Sequence, residues 1–283
     1  NNRNPQAQGL IARCAKLLAE EASAQGDWEN AILYWELLLS FDIDEETALQ
    51  SLSQAYVNAG RYAEAVGIQR EVVRIFPEDP DRRFRLGEIA VMGGFWDEAR
   101  TTFLELRDAD PSHVPTHHAL ASVALALDDL EAAEGHFLDA LAQDANDLKA
   151  RIGLARLYMS DRPKQAWDVL KPAASEPPVK GEVASLSYQA LDRLAEEALA
   201  QDQVLQAVDY RREAVALDPQ YDEPTPRLWR RKLASSLVQA GRKPEAVREL
   251  AALLESDPGD VEASYLLGSI HRQSSDLESA CRV

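Results

Sequence analysis

One alanine recurs along the chain at an almost constant interval, and no other feature of the sequence constrains the fold as much. The series is Ala31, Ala65, Ala99, Ala133, Ala166, Ala207, Ala246 and Ala280, with steps of 34, 34, 34, 33, 41, 39 and 34 residues. Such a period is typical of repeat proteins, whose small units bury their apolar faces only against neighbouring units. The sequence therefore predicts a stack of similar units rather than one globular core.

Other residue types keep a fixed distance from these alanines. Leucines lie thirteen residues earlier, at Leu18, Leu52, Leu86, Leu120, Leu194 and Leu233. Turn residues lie five residues earlier, at Gly26, Gly60, Gly94, Asp128 and Gly241. Large side chains lie four residues later, at Trp35, Phe103, Phe137, Leu170 and Leu250, with polar exceptions at Gln69 and Arg211. Prolines lie twelve residues later, at Pro77, Pro111, Pro178, Pro219 and Pro258.

These positions predict two helices per unit. The apolar residues recur at helical spacing and form two facing stripes. The alanine is small where the two helices cross closely. A glycine between them can adopt the positive φ that ends the first helix, and the proline cannot continue the second.

The stretches SLSQAYVNAGRYAEAV and FRLGEIAVMGGFWDEARTTF, with FPED and DADP downstream, resemble the tetratricopeptide repeat, whose signature is Trp, Leu-Gly, Tyr, Ala, Phe and Pro. The resemblance covers residues 12–283, or about eight units. It implies an all-α fold, a right-handed superhelical solenoid of antiparallel helix pairs. The expected organisation is a lead-in at 1–11, units one to five at 12–180, a lengthened sixth unit with an inserted linker at 181–226, and a seventh and truncated eighth unit at 227–283.

The regular pattern is disturbed after residue 180. The segment GEVASLS predicts a long first helix from Glu182 to Ala200, and Pro224 and Pro226 exclude a helix interior between units six and seven. The last unit has room for one helix, from Val261 to Gln273. We therefore expect Leu266, Leu267 and Ile270 to be incompletely covered, and the chain to fray after Ser274 unless another molecule covers this face.

Charge excludes two classes of partner. The chain has 30 Lys and Arg against 48 Asp and Glu, a net charge of −18, which repels nucleic acid and anionic lipid surfaces. Residues 1–147 have a net charge of −16 and residues 148–283 of −2, so the acidic field belongs to the first half. Apolar runs such as AILYW are too short for a membrane span, which argues against direct membrane insertion.

No pattern for catalysis or cofactor binding is found. HExxH, CxxC, a phosphate-binding glycine loop and a nucleophile elbow are all missing from the sequence. We therefore expect a non-catalytic protein without a cofactor or metal. Pro115 makes one helix through His113 and His117 unfavourable, so His117 is expected to pack between helices while His118 faces outward. Cys14 is expected to be a buried free thiol.

The tract RLWRRK is the one concentrated basic patch. It contains Arg227, Arg230, Arg231 and Lys232. Two interpretations stay open: the patch docks an acidic partner or segment, or its charges only solvate a helix on which Trp229 is half-exposed.

The resemblance implies that the first helices line a concave surface that holds a partner. The inward positions are Gln50, Gln54, Asn58, Phe84, Glu88, Met92, His118, Ile152, Arg156, Asp192, Glu196, Arg231 and Tyr265. The acidic members predict a protein or peptide partner of mixed or basic charge. A clamp for a chaperone's C-terminal carboxylate is not expected, because its positions carry Lys16, Glu20, Ser51, Asp81 and Arg85, of which only the two ends are basic.

Three functions fit these observations. The first is a scaffold that binds a protein partner. The others are the regulatory or substrate-presenting segment of a larger glycosyltransferase, sulfotransferase or hydroxylase, and the periplasmic segment of an exopolysaccharide export protein. The Ala, Arg and Leu content is typical of bacteria, and the start NNRNP, without Met, predicts a piece of a longer polypeptide. A cytoplasmic location is favoured, a periplasmic one stays open, and the oligomeric state is not predicted.

Overall fold

The expected all-α fold is confirmed. The computed structural model describes residues 5–41, 43–175, 181–217 and 225–273, and within these ranges the regular structure consists of fifteen α-helices without a strand. None of the helices in these ranges is both long and apolar enough to cross a membrane.

The chain divides into two compact units, residues 1–144 and 145–283. The described helices of the N-terminal unit are α1 (Pro5–Gln25), α2 (Trp28–Leu39), α3 (Glu45–Asn58), α4 (Tyr62–Ile75), α5 (Pro80–Met92), α6 (Trp96–Ala109), α7 (Val114–Ala126) and α8 (Leu130–Gln143). Those of the C-terminal unit are α9 (Leu148–Tyr158), α10 (Pro163–Leu170), α11 (Gly181–Ala200), α12 (Val204–Ala216), α13 (Thr225–Gln239), α14 (Lys243–Ser256) and α15 (Val261–Gln273). Within each unit, consecutive helices pack on one another.

The repeating alanines occupy the predicted helix crossings. Every member of the series from Ala31 to Ala246 is fully buried in the second helix of its pair, while Ala280 lies outside the described residues. The turn before the second helix has the predicted backbone: Gly60 has a φ of 72° and Asp128 a φ of 58°. The left-handed region is open to glycine and tolerated by aspartate, so one turn geometry accommodates both residues.

Helix α1 departs from the expected register. It begins at Pro5, inside the segment interpreted as a lead-in, and it buries four alanines: Ala12, Ala15, Ala19 and Ala22. Leu18, expected in the packing stripe, is 43% exposed, so that expectation is wrong. No preceding helix pair packs on α1 in the described chain, so only one narrow face is covered. Leu10, Ile11 and Leu17 are exposed as well.

Two buried polar residues occupy a position that is apolar in other repeats. Gln69 accepts a hydrogen bond from the Ser53 hydroxyl at 3.1 Å and donates to the Arg82 carbonyl of the next pair at 3.0 Å. Arg211 donates to the Lys232 carbonyl of the next pair at 2.9 Å and to Glu196 at 2.6 Å. Both side chains therefore connect one helix pair to the next by a hydrogen bond to its backbone.

The irregular region has the predicted helices but differs from the prediction in the burial of its last one. The long helix α11 runs from Gly181 to Ala200, and Pro226 lies in the first turn of α13, where proline is tolerated. Helix α15 has the predicted bounds. Leu267 and Ile270 are nevertheless buried, in a core shared with α13 and α14, so the expected lack of cover is wrong for these two residues. The predicted fraying after Ser274 falls outside the described residues.

Candidate functional site

The densest group of predicted binding residues lies on α3 and α5 of the N-terminal unit. The two helices border a groove with a volume of about 370 Å³. Its lining consists of Gln50, Ser53, Gln54, Gln69, Asp79, Asp81, Arg82 and Arg85. Gln50 and Gln54 are exposed in it. The structure thus brings two of the predicted amides into one concave surface, which we call the α3–α5 groove.

Gln54 connects the two helices across the α3–α5 groove. Its amide nitrogen donates to Asn58 Oδ1 at 2.8 Å, and its amide oxygen accepts from Arg85 at 2.8 Å. Arg85 also contacts the Glu88 carboxylate at 3.2 Å. Asn58, Gln54, Arg85 and Glu88 therefore form one continuous polar row, in which amides able to donate and accept lie next to charged groups.

Arg82 is held at the edge of the groove by Asp79, which caps α5, and by Glu46 of α3. Its Nε donates to Asp79 Oδ2 at 2.8 Å, and the guanidinium also pairs with Glu46 and lies 3.8 Å from the centre of the Phe76 ring. The hydrogen bond from Arg82 lowers the pKa of Asp79, so this carboxylate stays ionised at neutral pH. Asp81 lies exposed in the same groove. The basic groups here are thus engaged, and the surface keeps acidic character.

Three predicted residues of the N-terminal unit lie apart from this polar row. Phe84 packs against Phe103 and His113 at ring-centre distances of 5.3 and 5.7 Å, so this predicted binding residue takes part in helix packing. Met92 is 49% exposed at the end of α5. His118 is half-buried, with its ring centre 6.4 Å from that of Phe137.

The charged members predicted in the C-terminal unit are all paired within the chain. Arg156 pairs with Glu182, Asp192 with Lys232 at 2.6 Å, Glu196 with Arg211 at 2.6 Å, and Arg231 with Asp260 at 3.0 Å. Ile152 is half-buried and Tyr265 is 69% exposed. A ligand at these charged positions would have to displace an existing ion pair, which lowers their value as a binding surface.

Three of the four basic side chains in the tract RLWRRK, those of Arg227, Arg231 and Lys232, are paired in the same way. Arg227 pairs with Asp257 at 2.6 Å, and Arg231 and Lys232 have the partners given above. Trp229, expected to be half-exposed, is 5% exposed and stacks on Tyr188 with a ring distance of 5.2 Å and an angle of 9°. The tract therefore holds helices together, and its tryptophan belongs to the core.

The two basic ends of the positions compared with a chaperone-tail clamp are both engaged within the chain. Lys16 is ion-paired to Asp44 at 2.5 Å, and this hydrogen bond raises the pKa of Lys16. The other basic end, Arg85, contacts Gln54 and Glu88. Arg85 and Asp81 line the α3–α5 groove, although the repeat pattern identifies them only as positions of the carboxylate clamp.

A second cluster of polar side chains lies between α7 and α8. His117 is buried, as predicted, and its Nδ1 lies 3.8 Å from Asp139 Oδ2. His136 belongs to the same cluster, and burial lowers the pKa of its imidazole. As expected, no helix runs through both His113 and His117, because α7 begins at Val114. The separate expectation about Cys14 is wrong, because this cysteine is exposed on the uncovered face of α1.

Comparisons with known proteins agree with this architecture. A tetratricopeptide repeat profile matches residues 16–80 and 231–281, and a second one matches residues 56–123, so that together they span more than half of the chain. No curated protein sequence matches the chain significantly. A tetratricopeptide repeat protein from Parabacteroides merdae shares the fold with a TM-score of 0.52 at 12% identity, over 92% of this chain and 99% of that one.

Two further solved structures are similar at lower scores. YrrB, whose structure is described as having an unusual peptide-binding site, has a TM-score of 0.43 and 14% identity, over 70% of this chain and 96% of that one. MamA has a TM-score of 0.47 and 16% identity, over 68% of this chain and 96% of that one. Given the alanine period, the paired helices and the two matching profiles, this chain belongs to the tetratricopeptide repeat family.

Proposed function

We propose that this chain is a non-catalytic scaffold that holds an extended segment of a partner protein in the α3–α5 groove. The observation that carries the proposal is the polar row of Asn58, Gln54, Arg85 and Glu88, whose two amides are exposed and whose two charged residues are half-buried. Gln54 and Arg85 of this row line the groove together with the exposed amide of Gln50. Side-chain amides can pair with both the N–H and the carbonyl groups of a peptide backbone. An extended segment offers such groups at regular spacing along its length.

Charge favours a partner of mixed or basic character. Residues 1–144 contain 11 basic and 26 acidic side chains, a net charge of −15. Within the groove, Arg82 and Arg85 already contact carboxylates, while Asp81 is exposed. A basic segment would therefore be attracted at long range and positioned by the amides at short range.

The test uses the whole chain and short random peptides selected for binding to it. Changing Gln50, Gln54 and Asn58 to Ala should lower the affinity for the selected peptides at least tenfold, or by about 1.4 kcal/mol. The circular dichroism spectrum should stay unchanged. Phe84 and Arg156 stay unchanged, because Phe84 packs on Phe103 and Arg156 pairs with Glu182.

The matched control changes Glu64→Ala and Arg100→Ala, two exposed residues on the second helices α4 and α6. This variant should bind like the unchanged chain. If it loses binding while the triple variant does not, the second helices form the working surface and the proposal is wrong.

A further inference from the structure

The cluster between α7 and α8 brings together two imidazoles and one carboxylate. One ligand atom from each of His117, His136 and Asp139 lies within 4.8 Å of the other two. His136 and Asp139 are three residues apart on α8, so they share one helix face, and His117 faces them from α7. Two neutral imidazoles and one carboxylate are a ligand set typical of zinc and similar divalent metals.

The hydrogen bond of His117 fixes which of its nitrogens is available. Nε2 lies 2.9 Å from the carbonyl oxygen of Pro111. A carbonyl oxygen only accepts, so Nε2 must carry the proton and donate it. In the neutral ring, Nδ1 is then the unprotonated nitrogen, and it points toward Asp139. Histidine ligands of metals commonly donate their other N–H to a backbone carbonyl in this way.

Each of the two histidines has a buried ring nitrogen without a hydrogen-bond partner in the described structure. These atoms are the Nδ1 of His117, a residue that is 3% exposed, and the Nδ1 of His136. Asp139 Oδ2, at 3.8 Å from His117 Nδ1, is too far for a hydrogen bond and is itself an acceptor when ionised. A cation bound by His117 Nδ1, one ring nitrogen of His136 and Asp139 would give the unpartnered His117 Nδ1 a partner.

We propose that His117, His136 and Asp139 form a binding site for one zinc ion, with a position left open to water. The site opens into a pocket of about 400 Å³ lined by Arg107, Asp108, Pro111, His117, Asp139 and Gln143, which gives the open position access to solvent. A tetrahedral zinc ion needs its ligands about 3.3 Å apart, so the cluster must contract on binding. Asp139, with its side chain 57% exposed, is free to turn inward.

Arg107 sets a limit on affinity. Its guanidinium lines the same pocket and would repel a cation, but it is paired with Asp108 at 2.7 Å. We therefore expect a reversible site rather than a permanently loaded one. The proposal is independent of the α3–α5 groove, since the two surfaces share no residue.

The test adds Co²⁺ or Zn²⁺ alone to the metal-free whole chain. Co²⁺ should be taken up at one ion per chain with the intense visible absorption of a tetrahedral complex, and Zn²⁺ should displace it. His136→Asn and Asp139→Asn should each lower the affinity at least tenfold. His118→Asn, a change in the neighbouring histidine outside the cluster, should leave it unchanged.

Two outcomes would overturn the site. One is the absence of saturable uptake of Co²⁺ or Zn²⁺ at one ion per chain, which would show that the three side chains do not bind a metal ion. The other is equal uptake by the unchanged chain and the His136→Asn variant, which would show binding elsewhere on the acidic surface. Because His117 is buried, its replacement is not used; instead, Zn²⁺ should raise the melting temperature of the unchanged chain but not of Asp139→Asn.

Discussion

The two compact units are built from the same repeat but use their polar side chains differently. Residues 1–144 have a net charge of −15, so most carboxylates there have no basic counterpart in the same unit. Residues 145–283 contain 19 basic and 22 acidic side chains, and the predicted inward charges Arg156, Asp192, Glu196 and Arg231 are all ion-paired. The same type of repeat thus has an excess of acidic side chains in the first unit, whereas in the second unit the predicted inward charges are neutralised by ion pairs.

The position four residues after the repeated alanine shows this contrast, because it is polar in one repeat of each unit. Gln69, in the N-terminal unit, joins neighbouring pairs through neutral hydrogen bonds. Arg211, in the C-terminal unit, does so with a buried charge that also contacts Glu196. A buried charge that loses its partners costs more free energy than a neutral amide that does. Removing these hydrogen bonds should therefore destabilise the C-terminal unit more than the N-terminal one.

The largest expected effect comes from Arg211→Ala. The change leaves the Lys232 carbonyl and the buried Ser236 hydroxyl without their partner and should destabilise the C-terminal unit by about 3 kcal/mol. Hydrogen exchange should show the loss in α11 to α14 and not in α1 to α6. The control Arg212→Ala, whose partner Glu245 lies near the surface, should cost about 1 kcal/mol or less. A uniform loss of protection would mean that the units unfold as one.

The next effect tests packing in the N-terminal unit. A Cβ added at Gly87 would lie 2.5 Å from the buried Phe103 ring, so Gly87→Ala should destabilise the unit by about 2 kcal/mol. Gly67 lies in the exposed part of α4 with open space around it, and Gly67→Ala should stabilise by about 0.5–1 kcal/mol. Thermal unfolding measures both, and equal signs for the two changes would contradict the close crossing of α5 and α6.

A smaller effect concerns pH. Burial and the hydrogen bond to Glu36 raise the pKa of Tyr56 to about 12. The phenol's contribution is therefore fully present below its ordinary pKa of about 10 and is lost as the pH rises through about 12. Tyr56→Phe should cost the N-terminal unit about 1 kcal/mol at pH 7. In an ultraviolet titration, this variant should lack the absorbance change of one tyrosine that ionises near pH 12. An unchanged titration would contradict the raised pKa of Tyr56.

The smallest effect concerns salt. Raising the ionic strength screens the self-repulsion of the acidic N-terminal unit and weakens the ion pairs of the C-terminal unit. Hydrogen exchange in added sodium chloride should therefore show slightly higher protection in the first unit and slightly lower protection in the second, each by less than about 1 kcal/mol. Changes of the same sign in both units would show that net charge does not distinguish them.

The sequence predicts the repeat well because its main determinant is local. The buried alanines, the turn geometry at Gly60 and Asp128, and the long α11 all follow from spacing within one or two units. The failures concern contacts with distant residues. Phe84 is expected to face a partner and Trp229 to be half-exposed. Their actual neighbours, Phe103 and Tyr188, make Phe84 half-buried and Trp229 buried.

The candidate site is predictable only in part for the same reason. Inward positions follow from the repeat, so the sequence predicts that Gln50 and Gln54 face the concave surface. Ion pairs between different repeats decide which charged side chains remain available to a partner. An example is Lys232 with Asp192, forty residues apart. The cluster of His117, His136 and Asp139 was missed because its members lie on two helices and match no sequence motif.

The stack of Trp229 on Tyr188 gives the C-terminal unit its own optical signal. The buried indole lies against an aromatic ring with the Lys232 ammonium 4.9 Å from its centre, so its emission should report this arrangement and change when α11 and α13 separate. Trp167, also buried, is the other tryptophan of this unit. In a chain with Trp167→Phe and the tryptophans of residues 1–144 likewise replaced, Trp229 would be the remaining tryptophan. The wavelength of its emission would then report the unfolding of the C-terminal unit.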